Sequence, residues 1–316
     1  INGSKIHKDD IEFLLKEAKK QVTLNDKKQS IIHIFNHNYI VDGKTFLEEP
    51  IDVYADNLSH EMTFLTLPKN NLKNITQVFT ACDIEIERLI SSTFSLAVQY
   101  LNIREFKQGT ILINMGFEKT SLGIFKNLAL IHSTTFPIGV NHIIKDVSKV
   151  CSLSLHESET IVNKFDFSFE KNNELFDEND FLKESFFTSS KYRKISKSLL
   201  SNVIKSRSDE IFGIIKKQII FTGLSLKHVS SFYITGTGIE NWNINNYSSL
   251  FFKADIKKFD QKLIKENQRE SNENFSVCSG AIKIIKDGWE TEAIPEKVQK
   301  NSEKLGFFAK FFGIRI

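Results

Sequence analysis

Between residues 110 and 135 three short apolar runs follow one another: Thr110–Met115, Ser121–Phe125 and Ala129–Thr135, parted by turn signals at Gly116–Thr120 and Asn127. Runs of this length bounded by turn residues read as strands. Residues 141–150 and 156–164 follow with apolar side chains three and four apart, the spacing of helices, and Ser154-x-x-Glu157 supplies a capping box for the second. A hairpin followed at once by helices requires a mixed sheet with helices laid on it, an α/β or α+β chain. With 316 residues, 41% of them apolar, two domains around a cleft are expected rather than one.

The rest of the chain repeats the alternation. Asp9 and Asp10 are placed to cap a first helix whose face is Ile11, Leu14, Leu15 and Ala18. Two short strands are predicted at Ile31–Phe35 and around Tyr39-Ile-Val-Asp-Gly43, then a third over 61–67 ending at Pro68. A helix is predicted over 71–82, a return strand over Asp83–Leu89 and a helix over 92–101. This β-rich block, 31–90, reads as a small inserted subdomain. Residues 166–190 read as a long loop with exposed Phe, 195–220 as a long helix, and Phe232–Thr235 as a buried strand closed by Gly236-Thr-Gly238. The stretch 260–274 reads as a loop, 276–285 as a core helix and 287–304 as a polar linker.

Several functional classes are set aside. The net charge of +3 creates no global field for nucleic acid. Cys82, Cys151 and Cys278 are far apart, which suits a reducing cytoplasm and supports neither a zinc site nor a disulfide framework. His33, His37 and His60 lack the helical spacing of metal ligands and read as ordinary surface or turn residues. No secretory leader or bilayer-spanning run is legible, and the absence of a starting Met is expected of a fragment.

Three segments carry chemistry. The turn at Gly116 can expose backbone N–H groups as an anion cradle, where glycine lets a phosphate come close. The turn Gly236-Thr-Gly238 ends a strand, the usual ligand position in an open α/β sheet. In the last fourteen residues Phe307, Phe308, Phe311 and Phe312 form one helical face, with Lys304, Lys310 and Arg315 around it. A basic amphipathic segment of this kind suits the interface of an anionic membrane.

In this order, these pieces resemble the FtsA family of bacterial cell-division proteins. Tyr39-Ile-Val-Asp-Gly43 is similar to the opening of that family's extra subdomain, Phe136-Pro-Ile-Gly139 through Asp146 to its P-x-G segment, and Ile204-Lys-Ser-Arg-Ser-Asp-Glu-Ile211 to its I-E-x-R-x-x-E-I helix. The resemblance implies an α/β, actin-like (ribonuclease H-like) two-domain fold with a small inserted α+β subdomain of SHS2 type. It implies the end of a first subdomain over 1–30, the insert over 31–90, a return over 91–105, a second domain over 106–150 and 229–287 with its outer lobe over 151–228, and a linker and membrane-targeting helix over 288–316. By the same likeness Gly116, Lys119, Thr120, Arg207, Glu210, Gly236 and Gly238 bind ATP with Mg, and the first phosphate loop lies upstream of Ile1. The implied partners are FtsZ, further copies in a filament, other divisome proteins and the anionic membrane surface, at the cytoplasmic face of the inner membrane at the division site. Asn114, Phe117 and Glu118 depart from the family's D-x-G-G-G-T-T loop, and Lys205 stands where the family has Glu. A scaffold rather than an enzyme is expected, with an actin- or Hsp70-like ATPase of an MreB or pilus-assembly system as the alternative.

Overall fold

The computed structural model describes residues 1–168, 174–224, 226, 229–236, 243–258 and 275–286, and the chain divides into two compact units. Unit 1 holds Ile1–Gln108, Phe125–Ile131 and Ser271–Ile316; unit 2 holds Gly109–Ile124 and His132–Glu270. The linker expected at 287–304 and the loop at 260–274 lie outside the described residues.

Unit 1 begins with β1 (Ser4–Lys5), α1 (Lys8–Asn25), β2 (Gln29–Val41), β3 (Lys44–Phe46), β4 (Tyr54–Ala55) and β5 (Leu58–Pro68). The α1 cap is made from inside the first turn: the His7 amide donates to the Asp10 carboxylate at 2.8 Å. The two strands expected between 31 and 43 are one, β2, with register shifts at Ile31/His33 and Asn36/Asn38. Such bulges let one long strand change which side chains face inward. Three strands form an antiparallel sheet in the order β3-β2-β5, and β1 pairs with β4. Ile6 and Ile11 share a buried cluster with Tyr39, Val41 and Ala55, so the opening residues belong to the core of the sheet instead of standing apart from it.

After α2 (Lys69–Thr80) the strand expected over Asp83–Leu89 does not form. The amides of Cys82, Asp83 and Ile84 turn back onto the carbonyls of Phe79 and Thr80, and Asp83 takes a left-handed φ of 56°. Amides committed to a local turn are not available to a ladder. α3 (Ser92–Tyr100) and α4 (Ile103–Gln108) follow.

Unit 2 holds most of a five-stranded sheet in the order β10-β9-β6-β7-β8. Its elements are β6 (Thr110–Met115), β7 (Thr120–Lys126), β8 (Ala129–Phe136), α5 (Val140–Cys151), α6 (Leu155–Lys164), α7 (Lys197–Phe221), β9 (Ser231–Thr235), α8 (Ile244–Phe252) and β10 (Lys257–Lys258). Ile111, Leu112 and Ile113 are wholly buried, and β6 pairs in parallel with β9. A continuous apolar run is what a parallel strand covered on both faces requires. The 166–190 stretch is less open than expected. Phe167, Leu175, Phe176 and Leu182 are buried, Phe181, Phe186 and Phe187 are half-buried, and isolated bridges join Phe176 to Leu182 and Phe181 to Ser196.

The expected capping box forms and does more than cap. The Ser154 hydroxyl accepts from the Glu157 amide at 3.2 Å, and the Glu157 carboxylate accepts from the Ser154 amide at 2.7 Å. That carboxylate also takes the amides of Ser189 and Ser190 at 2.6 and 2.8 Å and the Ser190 hydroxyl at 2.6 Å. Burial alone would raise this carboxyl, but the Ser190 hydroxyl and the three amides outweigh it and hold the group far below the usual carboxylate range. Glu157→Gln sets an NH2 against amide donors and is expected to destabilise the chain by about 3 kcal/mol, read as a lowered urea midpoint. The folded-state value is depressed, so this stabilisation is complete above the ordinary carboxylate pKa and disappears as pH falls through the folded one. Wild type and variant should therefore converge in acid; an equal gap at all pH values would refute the assignment.

The last described helix, α9 (Ser276–Lys286), packs against α3 in unit 1, with Ser276, Gly280 and Ile284 on its buried stripe. The Tyr100 and Ser276 hydroxyls lie 2.6 Å apart, and the Lys283 ammonium donates to the Gln99 carbonyl at 3.3 Å. No described helix is long and apolar enough to cross a membrane.

Candidate functional site

Parallel pairing sets the C-terminal ends of β6 and β9 side by side, Asn114 opposite Thr235. The turn that follows β6 and the glycine that follows β9 therefore meet at one edge of the unit 2 sheet, where ligands of open α/β sheets bind.

The turn is closed by the Gly116 amide donating to the Lys119 carbonyl at 3.0 Å. Its carbonyls are used by the start of α5: the Val140 amide donates to Gly116 at 3.0 Å and the Asn141 amide to Phe117 at 2.8 Å. Thr120 is buried and its hydroxyl donates to the Ile138 carbonyl at 2.7 Å, a bond that braces the turn. With the carbonyls spent on α5, the amides of Phe117 and Glu118 have no hydrogen-bond partner among the described residues. Unpaired consecutive amides form an anion-binding concavity, and the exposed Lys119 stands next to them.

Gly236 seats the second strand end against the first. Its φ is 140°, and a Cβ placed there would lie 2.0 Å from the Met115 carbonyl oxygen. The close approach of β9 to the residue before the turn is possible only without a side chain.

Arg207 and Glu210 lie on α7 and bond each other, and Arg207 also bonds α5. The Arg207 Nε donates to Asp146 at 2.6 Å and its Nη1 to Glu210 at 2.6 Å. Six residues separate Asp146 from Val140, so this pair sits roughly 9 Å along α5 from the turn at a rise of about 1.5 Å per residue. α5 thus bonds the Gly116–Phe117 turn at its start and Arg207 further along. Gly238, and Lys304, Phe307, Phe308, Lys310, Phe311, Phe312 and Arg315, lie outside the described residues.

Sequence reasoning named Asp146 within the P-x-G segment but not its partner, which only the packing of α5 on α7 supplies. It missed further polar contacts of unit 2. Tyr247 on α8 donates to Asp209 on α7 at 2.6 Å and stacks on Phe167 with ring centroids 4.1 Å apart. Burial first, then that hydrogen bond, raises the Tyr247 hydroxyl well above its ordinary pKa. The Asn243 amide, just before α8, donates to the buried Asp166 at 2.8 Å.

The chemistry of these donors suits a phosphate group better than a directly bound metal. Two unpaired amides and Lys119 attract an anion, while Glu118, the carboxylate of the turn, accepts from the Asn141 side chain at 2.6 Å. Asn114 stands at the end of β6 without a charge, and no group of three His, Cys, Asp or Glu among the described residues is placed to hold a metal. A phosphate would lie on the amides of Phe117 and Glu118 with Lys119 beside it, and Mg would depend on the phosphates themselves for its ligands.

A family model described as cell division protein FtsA matches residues 111–270, and one described as the SHS2 domain inserted in FtsA matches residues 1–66. FtsA of Buchnera aphidicola subsp. Baizongia pistaciae is 25% identical over 239 residues, covering 76% of this chain and 56% of that protein. FtsA of Helicobacter pylori is 22% identical over 291 residues, covering 90% of this chain and 58% of that protein. The chain thus spans little more than half the length of these curated relatives. Among solved structures, a PilM-PilN type IV pilus biogenesis complex aligns with a TM-score of 0.56 at 9% identity, covering 88% of this chain and 73% of that one. MreB5 of Spiroplasma citri bound to AMPPNP aligns at 0.52 and 15% identity, covering 70% and 65%. At these identities the likeness concerns the fold, which is actin-like.

Proposed function

The chain belongs to the FtsA family of cell-division proteins, and from that premise we propose that it is a scaffold that tethers FtsZ filaments to the cytoplasmic face of the membrane at the division site. The observation that supports this reading most is the match of both FtsA-specific segments, the inserted domain over 1–66 and the main one over 111–270. Its unit 2 edge takes ATP through the amides of Phe117 and Glu118, Lys119 and the Gly236 turn, with Arg207 and Glu210 near the nucleoside. Nucleotide acts here on conformation and on assembly with further copies and other divisome proteins, not as a substrate to be turned over. A ligand shifts such an equilibrium only by its differential affinity for the two states.

The membrane contact falls to the C-terminal segment, where three basic side chains at about 1 kcal/mol each add to the burial of four Phe. Co-sedimentation with anionic liposomes and purified FtsZ tests the tether, with and without residues 303–316. The full chain is expected to carry FtsZ into the pellet, and the truncation to lower lipid partition by at least about a hundredfold. Pelleting that persists after truncation would remove the helix from the proposal. Lipid binding without FtsZ would remove the partner.

A further inference from the structure

His33 lies in the middle of β2 and is wholly buried, between the rings of Phe35 and Phe94 at centroid distances of 5.6 and 6.0 Å. Its Nε2 accepts the backbone N–H of Ser91 at 2.8 Å. Ser91 is the residue that caps α3, its hydroxyl accepting from the Phe94 amide at 3.4 Å. One imidazole nitrogen therefore ties the inserted sheet to the start of α3, and it can do so only as an acceptor. The remaining nitrogen, Nδ1, is buried with no partner among the described residues and so carries the proton of the neutral ring.

We propose that His33 is an acid-released latch: neutral, it holds the start of α3 on the sheet of the inserted subdomain, and protonated at Nε2 it lets go. A proton on Nε2 sets donor against donor at Ser91 and puts a charge in a pocket closed by two aromatic rings. The described residues around the ring offer nothing to stabilise that charge. The strand opposite, β5, presents Leu65 at the paired position, and α3 presents Phe94. The charged group that acts on the ring comes from the connector between α2 and α3, and it is the cation Arg88. Burial first, and then Arg88, lower the His33 pKa to about 4.

The sign follows from linkage. The closed state binds the proton later than the open one, whose ordinary value is about 6.5. The latch is therefore fully closed above about pH 6.5, and the opening equilibrium rises about tenfold for each pH unit below it until pH approaches 4. His37 and His60 on the same ribbon have lowered values as well, but His37 bonds Thr63 and His60 stacks on Tyr39, and neither accepts from α3.

Hydrogen exchange of the full chain tests this between pH 7.5 and 5, corrected for the intrinsic pH dependence of exchange. Amides of 84–95 are expected to lose protection by about tenfold per unit below pH 6.5, while β6 and β9 keep theirs. In His33→Gln the side-chain oxygen accepts the Ser91 amide at every pH, so protection there should be independent of pH. Protection that survives to pH 5 in the wild type, or the same pH dependence in His33→Gln, overturns the latch. Should that variant fail to fold, the ring resonances of His33 in the wild type decide: a ring that protonates between pH 6.5 and 5 while 84–95 keeps its protection refutes it.

Discussion

Gly236→Ala is expected to weaken the proposed nucleotide binding at the unit 2 edge by roughly a hundredfold while leaving most of the chain folded. Two effects act together. The backbone of Gly236 has φ 140°, a conformation that costs an L side chain about 1–3 kcal/mol. The new methyl would also lie 2.0 Å from the Met115 oxygen and 2.5 Å from its carbonyl carbon, so β9 must move away from β6 at the residue before the turn. Met115 is wholly buried and cannot retreat. The turn amides and the Gly236 segment then part, and a site built from both loses its geometry. A loss of about 3 kcal/mol corresponds to affinity weakened by roughly a hundredfold. Titration with a fluorescent ATP analogue reads the affinity, and thermal unfolding reads the fold separately. A variant that unfolds at the wild-type temperature and binds as tightly would place the nucleotide elsewhere.

Gly280→Ala is expected to be the most destabilising single methyl in unit 1. An added Cβ would stand 1.8 Å from the Ser95 carbonyl oxygen and 2.6 Å from its carbon, both backbone atoms of α3. Neither is the flexible end of a side chain, so the two helices must separate along their contact. That separation opens the packing of Phe94 and Ala97, both nearly inaccessible, and breaks the hydroxyl contact of Tyr100 with Ser276. Overpacking of this severity costs about 3 kcal/mol or more. Urea unfolding gives the size, and hydrogen exchange in α3 gives the place. An unchanged midpoint would mean that α9 does not sit on α3 in solution.

These sites differ in how far they could be read in advance. The hairpin after Thr110, the helices at 141 and 156 and the capping box at Ser154 are local patterns, and the chain follows them within a few residues. Their causes act over a turn or two: periodicity, a capping hydroxyl, a glycine where a turn needs one. The strand expected at Asp83–Leu89 failed because an apolar alternation does not announce that its amides are already committed to the end of α2. Of the exposed Phe expected between 166 and 190, Phe167 and Phe176 are buried and Phe181, Phe186 and Phe187 half-buried, since irregular backbone can cover side chains without any period.

The sequence by itself determined the alternation of strands and helices, the glycines at 116 and 236, and the motifs that resemble FtsA, because each rests on residues close together in the chain. Only the tertiary structure decided what those residues touch. Parallel pairing of β6 with β9 brought the Gly116 turn and Gly236, 120 residues apart, to one edge. The packing of α5 on α7 gave Arg207 its partner Asp146, and the fold of β2 against α3 turned His33 from an ordinary surface histidine into a buried acceptor. Contacts between distant segments depend on register and on the way faces pack, and no local pattern encodes either.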